Sequence, residues 1–171
     1  MPVMIVRYRT DGRIRWGAVE GAAPRSANDS ITIRPLDVDA GTTAELIEAL
    51  EGGNMEGRLL PAVRVTARAL LSPVTPDASL ICQGLNYAEH AAEAQHHTRK
   101  QNLIFAKASS SITGAFEAIE RPKDVQLLDY EVEFGVVMRE PVARNTVVDP
   151  ADIGSYVAGV VLAILSPGLR A

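Results

Sequence analysis

The pattern of hydrophobic and polar positions in the first segment of the chain is typical of β-strands. Val3 to Arg9 is rich in β-branched residues, Thr10-Asp11-Gly12 is a turn signal, and Arg13 to Trp16 alternates between polar and apolar residues. These three stretches predict a β-hairpin. A further short strand is predicted from Ile31 to Arg34.

The pattern changes to that of a short helix near residue 42. Thr42 is placed to cap a helix from Thr43 to Leu50, because Glu45 lies three residues on and can complete a capping box. Gly52-Gly53 then predicts the end of the helix. Nothing in this stretch has a catalytic pattern. We therefore predict that residues 1–70 form a small α+β leader domain that serves packing or dimerisation.

A proline-rich linker from Ser72 to Asp77 follows, and different signals come after it. We assign residues 71–171 to a second, partial catalytic domain. Its predicted elements are short strands over 79–83 and 103–106, a helix over 87–97, a long strand pattern within 125–138 and a final apolar segment over 151–165.

Composition and charge exclude several classes of protein. Lys and Arg number 17 and Asp and Glu number 21, so the net charge is 17 − 21 = −4, which argues against a nucleic-acid partner. The apolar run from Val157 to Leu165 is far shorter than the roughly 20 residues that span a bilayer, so no membrane partner is expected. The single cysteine, Cys82, excludes an intrachain disulfide and suits a reducing cytoplasm, which is the predicted location.

The most informative stretch is acidic and strictly alternating. Asp129, Glu131 and Glu133 fall on one face of a predicted strand, and Tyr130, Val132 and Phe134 fall on the other. Same-face neighbours on a strand lie roughly 6.5–7 Å apart, so two glutamates can converge on one hard cation. The alternative is a solvated acidic outer face. Repulsion between like charges and the low strand propensity of acids make that alternative less favourable.

Two further candidates precede this strand. His90 and Glu93 are three residues apart on the predicted 87–97 helix, where a carboxylate can orient an imidazole to act as a general base. The alternative is a surface ion pair. Lys107 follows an apolar strand and could hold a substrate carboxylate, or it could be an ordinary exposed lysine.

Taken together, these stretches resemble the fumarylacetoacetate hydrolase family. The resemblance is carried by three motifs in register: Gly84-Leu85-Asn86-Tyr87-x-x-His90-Ala91-x-Glu93, then Phe105-x-Lys107 with a serine-rich loop to Gly114, then Asp129-Tyr130-Glu131-Val132-Glu133. It runs from about Leu70 to about Val161. The N-terminal unit is similar to the short leader domain of many bacterial members.

The resemblance implies an α+β protein whose catalytic domain is a mixed β-roll, usually dimeric, that binds Mg²⁺ or Mn²⁺, with Ca²⁺ as a third candidate. Members cleave carbon–carbon bonds in acylpyruvates, and others decarboxylate oxaloacetate or hydrate and isomerise related acids. By position, Glu131 and Glu133 correspond to two of three carboxylate metal ligands, and His90 with Glu93 corresponds to a catalytic dyad on a lid helix. Lys107 corresponds to a lysine that contacts the substrate. The expected partners are a small diketo or 2-oxo acid and a second copy of the chain.

The sequence departs from the family pattern at two places. After Val157-Ala158-Gly159, members continue into an Asn-Asp-Val-Ser-type motif that supplies the third metal ligand, whereas here no acid follows Asp152. Ala108 stands where many members have proline. We therefore expect a truncated or frame-shifted product with an incomplete roll, exposed apolar surface and unpaired strand edges. A catalytically inactive fragment is the alternative to an active enzyme.

Overall fold

A computed structural model of the chain describes residues 3–84, 86–87, 102–166 and 168–169. The protein combines eleven described strands with few helices, which confirms the predicted α+β class. Its contacts divide it into two compact units, Met1–Leu46 with Gly52–Glu117 and Ile47–Glu51 with Ala118–Ala171. The domain boundary at residues 70 and 71 stays a prediction.

The first unit is built on a five-stranded antiparallel sheet with the strand order β4-β3-β2-β1-β5. Its strands are β1 (Ile5–Thr10), β2 (Arg13–Glu20), β3 (Ser30–Pro35), β4 (Val63–Thr66) and β5 (Leu70–Leu71). A separate antiparallel pair follows, β6 (Leu80–Gly84) with β7 (Leu103–Lys107). Short 3-10 turns span Glu56–Arg58, Ala67–Ala69 and Ser109–Ser111.

The predicted hairpin is present, and its turn explains its register. Asp11 and Gly12 both have positive φ, 48° and 71°, which is the requirement of a two-residue type I′ turn. Thr10 therefore pairs with Arg13, and the ladder continues to Ile5 and Ala18. The side chains on one face of the sheet build the hydrophobic core, with Tyr8, Ile31, Ile33 and Leu70 buried together.

Helix α1 (Thr43–Leu50) begins with both halves of the predicted capping box. The Glu45 N–H donates to Thr42 Oγ1 over 3.2 Å, and the Thr42 N–H donates to Glu45 Oε2 over 3.0 Å. The helix ends before Gly52 and Gly53, which adopt the left-handed conformation that the sequence predicted for a helix stop.

Hydrogen bonds join the predicted linker to the first residue of helix α1. Thr75 is buried, and its hydroxyl oxygen accepts a hydrogen bond from the Thr43 N–H over 2.8 Å. The Thr43 hydroxyl donates to the Pro73 carbonyl oxygen over 2.8 Å and accepts the Thr75 N–H over 2.9 Å. The two threonines thus satisfy each other's polar groups, and the linker is an ordered part of the first unit.

The second unit contains two antiparallel strand pairs. Strand β8 (Leu127–Leu128) pairs with β11 (Gly168–Leu169), and β9 (Glu131–Met138) pairs with β10 (Val157–Leu165). The strand pattern predicted within 125–138 is thus interrupted between β8 and β9. The final apolar segment starts with a 3-10 turn (Pro150–Asp152) and a one-turn helix α2 (Ile153–Tyr156) before it becomes a strand. Among the described residues, no helix is long and apolar enough to cross a bilayer.

One face of the β9–β10 pair is apolar and exposed. We call it the β9–β10 apolar face, and its members are 48% to 81% exposed: Val132, Phe134, Val136, Met138, Val160, Leu162 and Ile164. Exposed apolar surface, which the sequence predicted, is therefore present in the part of the chain that the structure describes.

Candidate active site

Glu131 and Glu133 share one face of β9, as the sequence predicted. Both are half-buried, and they lie opposite Leu165 and Ala163 of β10. Burial alternates strictly along the strand: Val132, Phe134, Val136 and Met138 are exposed, and the two glutamates are more protected, as are Gly135 and Val137. This burial is the reverse of a solvated acidic outer face.

Asp129, the third acid of the pattern, lies outside the strand. Its Oδ1 accepts the Tyr130 N–H over 2.8 Å, and its carbonyl oxygen accepts the Ser166 hydroxyl over 2.9 Å. The carboxylate is thus turned back onto the backbone just before β9 begins. Asp129 is therefore held by local hydrogen bonds outside β9.

The pair Glu131 and Glu133 fits a divalent metal by its donor chemistry. Carboxylate oxygens are the hard ligands that Mg²⁺ prefers, and Mg²⁺ is commonly held by one or two carboxylates together with water or substrate oxygens. Within the part of the chain that the structure describes, no group of three or more His, Cys, Asp or Glu residues is close enough to hold a metal ion. Glu131 and Glu133 are thus not joined by a third such residue among those that the structure describes.

Lys107 is the last residue of β7, half-buried and opposite Leu80 of β6. It belongs to the first unit, and the two glutamates belong to the second. The residue after it, Ala108, has φ of −64°. A proline ring fixes φ near this value, so the departure from proline at this position leaves the backbone conformation unchanged.

Gly84, which opens the first motif, has a packing role at the end of β6. A Cβ added there would lie 2.8 Å from Leu103 Cδ2 and 3.4 Å from Phe105 Cε1. Glycine thus allows the side chains of β7 to approach the backbone of β6 closely. His90 and Glu93, together with most of the predicted 87–97 helix, lie outside the described residues.

A pocket in the first unit was not foreseen from the sequence. It has a volume of about 110 Å³ and is lined by Arg7 of β1, by residues of the linker, and by the loop that carries Gly114 and Glu117. The Glu117 carboxylate accepts the Gly114 N–H over 2.9 Å and also the Thr113 hydroxyl. Both hydrogen bonds lower the pKa of Glu117, and the one from the Gly114 backbone has the larger effect. The carboxylate closes a turn, and the spacing Gly114-x-x-Glu117 is the sequence signal for it.

About half of the chain matches a known protein family. The sequence model of the fumarylacetoacetate (FAA) hydrolase C-terminal domain matches residues 79–165. The mitochondrial oxaloacetate tautomerase Fahd2a of Rattus norvegicus is 38% identical over 105 residues, which cover 61% of this chain and 32% of that protein. The homoprotocatechuate catabolism bifunctional isomerase/decarboxylase of Escherichia coli is 39% identical over 84 residues, 49% of this chain and 19% of that protein.

The fold has a counterpart among solved structures. A fumarylacetoacetate hydrolase from psychrophilic Exiguobacterium antarcticum superposes with a TM-score of 0.71 at 28% identity, covering 98% of this chain and 57% of that one. The chain thus spans about a third of the length of the rat relative and just over half of the solved structure. The family match over 79–165 includes β6, β7, β9 and β10, and with them Lys107, Glu131 and Glu133. The chain belongs to the fumarylacetoacetate hydrolase family.

Proposed function

We propose that this chain carries the metal-binding part of an enzyme that acts on small diketo or 2-oxo acids. Glu131 and Glu133 are the proposed ligands of one divalent ion. The observation that carries the proposal is the burial pattern of β9, which protects both glutamates while the apolar side chains are exposed. A strand that served only to display acids to water would show the opposite pattern.

Mg²⁺ or Mn²⁺ is the proposed ion, with Ca²⁺ third, because two carboxylates leave coordination positions for water and for a chelating substrate. When bound, the ion would supply Lewis acidity to a substrate carbonyl. The two glutamates would neutralise the ion's charge and fix its position. The proposed substrates suit such an ion, because a 2-oxo acid offers a carboxylate and a carbonyl oxygen on adjacent carbons.

Three further residues are proposed to act on the substrate: His90 and Glu93 transfer protons, and Lys107 neutralises negative charge. The imidazole of His90, oriented by the Glu93 carboxylate, takes a proton from water, and the resulting hydroxide attacks the substrate carbonyl. The carbon–carbon bond then breaks, its electron pair leaves as an enolate, and the enolate collects a proton. The Lys107 ammonium neutralises a substrate carboxylate. The roles of His90, Glu93 and Lys107 rest on the sequence motifs.

Hydrolysis of acylpyruvates is the first candidate reaction, and the names of the relatives support two others, tautomerisation and decarboxylation. The rat relative is an oxaloacetate tautomerase, and the bacterial one is an isomerase/decarboxylase. Tautomerisation needs only the removal and return of a proton beside the carbonyl, and decarboxylation also passes through an enolate. The same residues therefore serve all three reactions, and the position of the water molecule decides between them.

The test is a turnover assay on the purified chain with millimolar Mg²⁺ or Mn²⁺. A simple acylpyruvate reports cleavage, and oxaloacetate reports tautomerisation and decarboxylation. We expect metal-dependent turnover of at least one substrate, and a loss of about 10²- to 10⁴-fold in His90→Ala. Glu131→Gln should be inactive, whereas Glu140→Gln, an exposed glutamate beyond β9, should retain full activity. An absence of turnover with every substrate and metal would support the inactive fragment instead.

A further inference from the structure

The pocket of the first unit, which we call the Arg7 pocket, has the size and the walls of a site for a very small molecule. Four of its nine lining residues have apolar side chains, namely Leu71, Val74, Pro76 and Ile112. An apolar cavity of about 150 Å³ can hold benzene, which has six carbon atoms. The Arg7 pocket, at about 110 Å³, therefore has room for about four or five non-hydrogen atoms.

Arg7 brings a positive charge to this pocket, and the fold fixes its position. The guanidinium carbon Cζ lies 5.9 Å from the centre of the Trp16 ring, and the two residues are paired across β1 and β2. Trp16 is buried, and its indole N–H donates to the Ala40 carbonyl oxygen over 2.8 Å. The ring is therefore a fixed platform, and the attraction between a cation and an aromatic face holds the guanidinium over it.

The Arg7 guanidinium has no anionic partner within the part of the chain that the structure describes. It forms no salt bridge with a described carboxylate, in contrast to Arg34, whose guanidinium lies 2.9 Å from Glu56. The Arg7 Nε atom is shielded from solvent and bonds to no described residue. A partly buried charge without a counter-ion is costly, and a bound anion lowers this cost. A carboxylate suits a guanidinium, because the two groups can form two parallel N–H···O bonds.

The charges around the pocket favour an anion over a cation. Glu117 also lines it, but the Gly114 N–H and the Thr113 hydroxyl already donate to the Glu117 carboxylate. These two hydrogen bonds, and then the positive charge of Arg9, lower the pKa of Glu117. Arg7 and Arg9 thus bring two positive charges against one negative charge, and an anionic ligand meets a net positive charge here.

We propose that the Arg7 pocket binds a small monocarboxylate of about two or three carbon atoms. The carboxylate would lie against the Arg7 guanidinium, and the short alkyl chain would contact the apolar side chains of the walls. Inorganic phosphate suits these walls less, because apolar side chains cannot replace its hydrogen bonds to water. All the lining residues belong to the first unit, whereas Glu131 and Glu133 belong to the second. The proposed site is thus independent of the proposed function.

The test is a titration of the full chain with propionate at constant ionic strength, followed by saturation-transfer-difference NMR of the ligand protons. We expect saturable binding with a dissociation constant in the millimolar range, because so small a ligand makes few contacts. Propionamide has the same size but no charge, so it should bind at least about 10-fold more weakly. This comparison uses the wild-type chain and does not depend on the folding of any variant.

Two arginine variants locate the binding. Arg7→Gln should weaken the binding of propionate by about 10-fold or more, because it removes the charge that meets the carboxylate. Arg13→Gln removes the same charge from an exposed residue of β2 that does not line the pocket, and it should leave the affinity unchanged. An absence of saturable propionate binding or an equal affinity for propionamide would overturn the proposal. So would unchanged binding in Arg7→Gln, or an equal loss of binding in Arg13→Gln.

Discussion

Strand β3 of the first unit and the first half of strand β9 in the second both alternate between polar and apolar residues, but they bury opposite faces. In the first unit the apolar positions of β3, Ile31 and Ile33, are buried in the core. In the second unit the apolar positions of β9, such as Val132 and Phe134, are exposed, and its glutamates are the protected ones. Alternation therefore predicts that a strand forms. Which face becomes buried depends on the layer that packs against it.

The difference in packing should appear most strongly in matched isoleucine variants. Ile33 is 0% exposed and Ile164 is 62% exposed. We expect Ile33→Ala to lower the free energy of unfolding by about 2–5 kcal/mol, because it leaves a cavity in a packed core. Ile164→Ala should cost less than about 1 kcal/mol at concentrations where the chain is monomeric. Urea unfolding measures both. Equal effects would show that the two sheets do not differ in packing.

Two glycines give a second, smaller contrast. A Cβ at Gly17 of β2 would lie 2.8 Å from the Arg34 carbonyl oxygen and would also collide with the Ile33 side chain. No atom of the described residues lies within 4 Å of a Cβ at Gly159 of β10. Gly17→Ala should destabilise the protein by about 1–3 kcal/mol. Gly159→Ala should be neutral or stabilise the strand by up to about 1 kcal/mol. Thermal unfolding of both variants checks this order, and the reverse order would refute it.

A buried threonine of the linker, Thr75, can be compared with an exposed threonine of the second unit, Thr146. Thr75→Val removes a buried hydroxyl that accepts the Thr43 N–H, and it should cost about 1–3 kcal/mol because that donor stays unsatisfied. The same substitution at the exposed Thr146 of the second unit should change the stability by less than about 0.5 kcal/mol. Urea unfolding measures the free energy of unfolding of both variants. No loss of that free energy in Thr75→Val would contradict an ordered linker.

The smallest expected effect is a pH dependence at Glu117. The hydrogen bonds from Gly114 and Thr113 lower the pKa of this carboxyl in the folded state. Its contribution to stability is therefore fully present above the pKa of an unfolded glutamate, about 4.3, and is lost as the pH falls through the lower folded pKa. Glu117→Gln should flatten the acid limb of a Tm–pH profile. A profile for Glu117→Gln that is identical to that of the wild type would contradict this account.

The sequence predicted the features that depend on neighbouring residues. The hairpin follows from Asp11-Gly12, the helix from Thr42 and Glu45, and the common face of Glu131 and Glu133 from a two-residue period. Features that depend on contacts distant in sequence were missed. The bonds between Thr43 and Thr75 join segments 32 residues apart, and the pocket at Arg7 joins β1 to the loop at Glu117. No local pattern contains either contact.

The sequence predicted the chemistry of each motif of the site but not how the motifs are arranged in space. The order of the motifs identified the family, which the match over residues 79–165 confirms. Spacing along the chain gives no distance between Lys107 of the first unit and the glutamates of the second. His90 and Glu93 lie outside the described residues, so their role in the dyad stays a prediction.

The central claim is that Glu131 and Glu133 together hold one divalent ion, and Mn²⁺ titration followed by electron paramagnetic resonance tests it most directly. Free Mn²⁺ gives a sharp signal that is lost on binding, so the stoichiometry can be counted without any turnover. We predict one ion per chain for the wild type and for Glu140→Gln, and none at millimolar Mn²⁺ for Glu131→Gln or Glu133→Gln. Binding that survives both of these substitutions, or a wild type that binds no Mn²⁺, would contradict the account.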